Sequence, residues 1–337
     1  MTEQNNVLVE VKNLKTYFHL YEGTVRAVDG ISFDIERERT LGVIGESGSG
    51  KSVTAQSILQ IVPSPPGKIE EGEILLHLPD RQGAIDLAKL DPDGDELRSI
   101  RGKEISMIFQ EPMRSFGPLN TIGQQIVEAI QIHDKNISKK EGREMAIELL
   151  KKVGIPKPEK RVDGYPHQFS GGMLQRAMIA MALSCSPRLL IADEPTTAVD
   201  VTIQAQLMEL LSQLQEETGM SIMLITHNLA VVSEIADEII VMYLGRIVEQ
   251  ASVEEIFYNP LHPYTRALWK SIPKVEGELE KLQPIEGTIP SPYEMPDGCY
   301  FYNRCEEYDP RVCDPKNCPP TVEVSPGHRV SCWKYVK

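Results

Sequence analysis

Gly45-Glu46-Ser47-Gly48-Ser49-Gly50-Lys51-Ser52 follows the short apolar run Thr40–Ile44 and precedes the helix-like run Val53–Ile61. The octet fits G-x-x-x-x-G-K-[ST] between a strand and a helix. Its glycines let the backbone curl so that successive N–H groups, from Gly45 through Ser47, Gly48, Ser49 and Gly50, face a phosphate chain. The helix behind it aims its positive dipole end at the same anion. Lys51 is placed to reach the β- and γ-phosphates, and the Ser52 hydroxyl to ligate Mg²⁺. A turn that matches by chance would need neither the strand before it nor the helix after it, so the reading is a site for MgATP.

Further along, Leu189-Leu190-Ile191-Ala192-Asp193-Glu194-Pro195 is an apolar strand ending in paired acids. Asp193 would stand beside the Mg²⁺ shell, leaving Glu194 free to polarise an attacking water. Phe169-Ser170-Gly171-Gly172-Met173-Leu174-Gln175-Arg176 opens a predicted helix and offers a second anion cradle at Ser170, Gly171 and Gly172. One nucleotide does not need two cradles. The second therefore predicts a dimer in which each chain caps the γ-phosphate held by the other.

The rest of the chain supplies the setting. Apolar runs at Val7–Val11, Val25–Val28 and Ile31–Ile35 predict a β-rich start. Strand signals at Leu189–Ala192, Ser221–Thr226 and Glu238–Tyr243 alternate with helix-like Ile203–Leu214 and Leu229–Ala236, the pattern of a parallel α/β sheet. Helical patterns over Ile122–Val153 and Gly171–Leu183 interrupt it as an inserted subdomain. From about Ala251 the chain turns Pro-rich, which predicts an extended appendage rather than more sheet.

The 337 residues carry 35 Lys and Arg against 49 Asp and Glu, a formal net charge of −14. So acidic a surface disfavours nucleic acid as a partner. The longest apolar runs, such as Ala177–Leu183, fall far short of the roughly 18–20 residues a spanning helix needs. Met1–Lys12 has no apolar signal core. The expectation is a protein kept in the cytosol that reaches a membrane only by docking on another protein.

In their order and spacing these motifs resemble the ABC ATPase superfamily over about residues 7–250. The resemblance implies a P-loop NTPase of α/β class, with a RecA-like core, an antiparallel β subdomain, an inserted helical subdomain and a small Cys-rich C-terminal extension. It places the nucleotide-binding domain at 1–250, with the signature-bearing helices at about 110–184, and the extension at 251–337. Gln110 sits at the Q-loop glutamine, which senses Mg²⁺. Asp200, in Thr197-Ala198-Val199-Asp200, sits at the D-loop, and His227 at the switch histidine. Phe18 fits the aromatic that stacks on adenine, with Tyr17 as runner-up. The implied catalytic set is Glu194, His227, Lys51 and Gln110.

A narrower resemblance, to the oligopeptide/dipeptide importer ATPases, rests on Met107–Met113, on Asn259-Pro260-Leu261-His262-Pro263-Tyr264-Thr265 and on the terminal cysteines. It implies a D-type subunit paired with a homologous but different ATPase. Two transmembrane permease subunits and an extracytoplasmic solute-binding protein complete the importer, so the chain would lie on the cytoplasmic face of the membrane. An importer ATPase for another cargo, nickel or glutathione, is the alternative, and a soluble non-transport ABC ATPase is the less favoured one. Two departures stand out: Phe169 replaces the usual leucine, and Ser115-Phe116-Gly117-Pro118 replaces Ser-Leu-Asn-Pro.

The terminal cysteines read C-x5-C-x7-C-x4-C-x13-C. Thiolates bind iron–sulfur clusters in fours, whereas zinc sites favour C-x2-4-C pairs. Some members of the importer branch carry a [4Fe–4S] cluster here. The family spacing favours Cys299, Cys305, Cys313 and Cys332 as ligands, with Cys318 as the alternative.

Overall fold

The computed structural model describes residues 6–196, 201–271 and 285–336. The chain opens with two long strands, β1 (Val7–Leu20) and β2 (Gly23–Glu36), then β3 (Thr40–Ile44) and helix α1 (Lys51–Ile58). Next come β4 (Gly67–Leu76), β5 (Ile85–Asp86), α2 (Asp95–Ile100) and β6 (Ile105–Ile108). A helical stretch holds α3 (Pro112–Ser115), α4 (Ile122–His133), α5 (Lys139–Lys152), α6 (Pro158–Arg161) and α7 (Gly171–Ala182). After it come β7 (Leu189–Asp193), α8 (Val201–Thr218), β8 (Ser221–Ile225), α9 (Leu229–Ile235), β9 (Glu238–Tyr243) and β10 (Arg246–Ser252). The C-terminal region adds α10 (Val253–Tyr258), α11 (Pro263–Lys270), β11 (Val322–Ser325) and β12 (His328–Val330).

These elements form two compact units interleaved along the chain. The first contains Ile35–Thr40 and Lys89–Ile225 together with residues 6–8. Its strands β6, β7 and β8 pair in parallel, Ile105 opposite Leu189 and Leu189 opposite Ser221. All five residues of β7 and all five of β8 are buried, as parallel strands covered on both faces must be. Helices α4, α5 and α7 pack on one another. Their starts are written in the sequence. Thr121 with Gln124, and Ser138 with Glu141, form reciprocal capping boxes at α4 and α5.

The second unit contains Val9–Asp34, Leu41–Ala88 and the residues from Thr226 on. It holds an antiparallel sheet in the order β2-β1-β4-β5, and a second sheet portion running β11-β12-β10-β9-β3. β3 pairs in parallel with β9, while β10 is antiparallel to β9 and β12 is antiparallel to β10.

This last pairing corrects the expectation of an appendage without sheet. β11 and β12 are four and three residues long, too short to show a period of two above the surrounding polar sequence. The region also has a core: Tyr264, Phe301 and Tyr243 pack ring on ring at centroid distances of 4.7–5.3 Å, all of them buried. Smaller differences lie at element ends. The two apolar runs expected between Val25 and Ile35 belong to one strand, β2, and the Ile122–Val153 pattern is two helices, α4 and α5.

Candidate functional site

In the second unit the phosphate loop rises from β3 and ends at α1, whose N-cap Gly50 is left-handed at φ 99°. A Cβ at Gly50 would overlap the Ala27 carbonyl oxygen, and one at Gly45 the Met242 carbonyl oxygen. Only glycine lets the loop lie this close to β2 and β9. Ser47 and Gly48 face solvent, whereas Ser49 and Lys51 are buried. The Lys51 ammonium fills the loop, donating to the carbonyls of Gly45 at 2.8 Å and Glu46 at 3.0 Å. Ser52 follows it in the first turn of α1, half-buried.

The loop is gripped from the C-terminal region. The Glu46 amide donates to the Tyr264 hydroxyl at 2.9 Å. The Glu46 carboxylate takes a two-pronged hydrogen bond from Arg304, Nη1 to Oε2 at 2.7 Å and Nη2 to Oε1 at 3.0 Å. That contact, first among its causes, holds the Arg304 guanidinium above its ordinary pKa. Neither residue was singled out from the sequence for a role at the loop. Tyr264 was legible only as part of a quoted family motif. Arg304 lies within the first cysteine interval, but no local pattern ties it to a residue 258 positions earlier.

His227 lies beyond β8, exposed. Its neighbour Thr226 donates its amide to the Val43 carbonyl at 3.2 Å and accepts from the Asn228 amide at 3.0 Å. Upstream, Tyr17 and Phe18 stand together on β1, Phe18 opposite Gly67 of β4. The Tyr17 hydroxyl donates to Asp29 at 2.6 Å.

In the first unit, Asp193 ends β7 buried, and Glu194 follows in the left-handed region at φ 46°. A non-glycine residue holds that conformation only when its surroundings impose it. Here the Glu194 amide donates to Ile225 at 2.9 Å, and Oε2 accepts from Gln110 Nε2 at 3.0 Å. The structure thus brings together Gln110 and Glu194, which stand 84 residues apart. Ser170 caps α7 through Met173, and Ser170 and Gly171 are exposed. Phe169, the departure from the family leucine, is buried with the Arg161 guanidinium 5.8 Å from its ring centre. Asp200 lies outside the described residues.

Cys299, Cys305, Cys313 and Cys332 line a single cavity of about 230 Å³. Cys318 does not; its thiol donates to the Gly298 carbonyl at 3.0 Å. Burial pushes the Cys299 thiol up to about 12 and Cys305 up to about 11, and it also raises Cys332. Among the described residues no three His, Cys, Asp or Glu side chains are close enough to share one metal ion.

Comparison with known proteins agrees with this architecture. Residues 28–197 match the ABC transporter family, and residues 248–313 match the oligopeptide/dipeptide transporter C-terminal region. The chain belongs to the ABC transporter family of ATP-binding proteins and has its ATPase fold. It is 49% identical over 332 residues to the oligopeptide transport ATP-binding protein AppD of Bacillus subtilis, covering 98% of this chain and 97% of that one. It is 47% identical over 326 residues to the dipeptide transport ATP-binding protein DppD of the same organism, covering 97% of this chain and 94% of that one. Among solved structures, the ATP-binding cassette MJ0796, in a dimeric post-hydrolysis state bound to ADP and Pi, is similar at a TM-score of 0.63 and 28% identity. That likeness covers 73% of this chain and 98% of the cassette. Among the described residues no helix is long and apolar enough to cross a membrane.

Proposed function

We propose that this chain binds MgATP at Gly45–Ser52 and hydrolyses it to power the import of di- or oligopeptides. It works as half of a nucleotide sandwich with a homologous but different ATPase, on the cytoplasmic face of a membrane. Two permease subunits lie above the pair, and an extracytoplasmic solute-binding protein delivers the cargo. The observation that carries this reading is the union, in one chain, of the cassette with the oligopeptide/dipeptide transporter C-terminal region. Residues 1–250 act as the nucleotide-binding domain, with 110–184 as its signature subdomain, and 251–337 as the extension.

Catalysis here is positioning plus electrostatics. On ATP binding, Lys51 exchanges its loop carbonyls for the β- and γ-phosphates, and Gly45, Ser47, Gly48, Ser49 and Gly50 present their amides. Ser52 and Asp193 would be the residues that hold Mg²⁺, which would neutralise charge on the phosphates. Glu194 orients the water and His227 steadies the transferred phosphoryl. Gln110, hydrogen-bonded to Glu194, reports whether the site is full and shares in Mg²⁺ contact. Ser170, Gly171 and Gly172 close over the partner chain's nucleotide, and Asp200 communicates across the dimer. Phe18 stacks on adenine, a reading supported by the commitment of the Tyr17 hydroxyl to Asp29.

The cavity lined by Cys299, Cys305, Cys313 and Cys332 supports a [4Fe–4S] cluster held by those four thiolates. Such a cluster would cross-link a proline-rich segment through metal–sulfur bonds.

Replacing Glu194 with Gln tests the hydrolytic half. The assembled transporter should retain ATP in a closed dimer and lose uptake of a radiolabelled oligopeptide. Hydrolysis loss of at least about 10²-fold is expected for removal of the water-orienting carboxylate. Near-normal turnover in that variant would sink the assignment.

A further inference from the structure

The segment between the first two cysteines of the four-thiol cavity faces inward at three points. Tyr300 donates its hydroxyl to the buried Asp29 at 2.7 Å. Phe301 enters the aromatic core beside Tyr243 and Tyr264. Arg304 reaches the phosphate loop at Glu46, its side chain only 3% exposed. The thiols of Cys299 and Cys305 close this segment at its two ends.

Each polar group of Glu46 is occupied. Its amide goes to Tyr264, its carboxylate to Arg304, and its carbonyl accepts from the Lys51 ammonium. Arg304 is itself fixed, since Nε donates to the Glu286 carbonyl at 3.2 Å and Nη1 to the Tyr243 hydroxyl at 3.4 Å. A two-pronged guanidinium–carboxylate contact sets direction as well as distance. A buried guanidinium left without its carboxylate is strongly unfavourable, so the pair resists separation. A surface ion pair would not hold a loop in this way. Here the chain of contacts runs from the four-thiol segment through Arg304 and Glu46 to Lys51 in the loop.

We propose that Arg304 is a positioning residue of the nucleotide site. By clamping Glu46 it sets the curvature of the phosphate loop, and the state of the four-thiol segment is thereby felt where the nucleotide phosphates bind. The second part rests on the four-thiol reading above, and the first does not. Arg304 touches neither nucleotide nor reacting atoms, so its effect falls on affinity more than on the chemical step.

The test uses the full chain, titrated with MgATP and MgADP by calorimetry, and the assembled transporter for turnover. Arg304→Met should weaken nucleotide binding about tenfold, the equivalent of one charge-assisted hydrogen bond, and raise KM for ATP in step, with kcat changed less than about twofold. Arg304→Lys, which keeps the charge but not the fork, should fall between. Removing both Cys299 and Cys305 as serines should also weaken binding, and adding Arg304→Met to that pair should cause little further loss, because the two act through one path. Parental affinity and KM in a folded Arg304→Met protein would reduce the contact to a stabilising one and overturn the positioning role. Fully additive losses would overturn the link to the thiol segment. Iron and acid-labile sulfide, measured on the same preparations, report on the cluster separately: their absence removes that reading and leaves the Arg304 result standing.

Discussion

Asp29 shows how a single buried carboxylate can tie distant parts of the chain together. It accepts from Tyr17 on β1, from Tyr300 in the C-terminal region and from Arg246 on β10, at 2.6–2.7 Å. Burial pushes its pKa up, but the two phenol hydrogen bonds and the Arg246 charge outweigh that and hold it below the ordinary value. A depressed carboxylate adds stability that is present above its unfolded pKa and lost as pH falls through the folded one. Asp29→Asn should therefore cost about 2–4 kcal/mol near neutrality, since it strands Arg246. In urea unfolding at stepped pH, the gap to the parent should stay constant above about pH 4 and close below it. A gap that widens in acid would contradict the assignment. Residues such as Lys51, Ser52, Asp193 and Glu194 were legible because a short local pattern carries each of them. Asp29 with Arg246, and Glu46 with Arg304, were not, because each pair lies more than two hundred positions apart.

Among the elements, the β11–β12 hairpin depends on one buried imidazole. His328 Nε2 lies 2.8 Å from Glu249 Oε1, and Nδ1 lies 3.4 Å from Glu255. Glu249, wholly buried on β10, also accepts the amides of Leu261 and His262 at 2.6 and 2.9 Å. His328→Ala should cost about 2–4 kcal/mol by leaving a buried carboxylate short of a partner. Hydrogen exchange would then show protection lost first in β12, with β7 and β8 unchanged; uniform loss would argue against a local latch. Helices were easier to read than these strands. α4, α5 and α7 carry their caps at Thr121, Ser138 and Ser170, and their apolar spacing runs for three turns or more. A three-residue strand has no such signature.

At the scale of the whole molecule, sequence order and spatial order part company. The unit that holds the phosphate loop takes its residues from both ends of the chain, an arrangement that hydrophobic periodicity cannot express. The parallel α/β core was legible, because β7, β8 and β9 are apolar runs separated by helices. The four-thiol cavity was legible through spacing and resemblance, and its geometry yields a sharp expectation for the whole chain. On the proposal that the cavity holds a cluster, anaerobically purified protein should contain iron, Cys318→Ser should retain it and Cys313→Ser should lose it; iron absent from the parent protein would overturn the proposal, and the reverse pattern would reassign the ligands. The second sheet portion has one more consequence, which concerns solubility. β12 covers the free side of β10, and β11 then forms the margin, four residues long and mostly exposed, with Glu323 among them. An unpaired sheet margin is a template for joining other chains, and short charged strands blunt it. The β11–β12 hairpin therefore works as a selvedge: it finishes the weave so that many copies can crowd together without being stitched to one another.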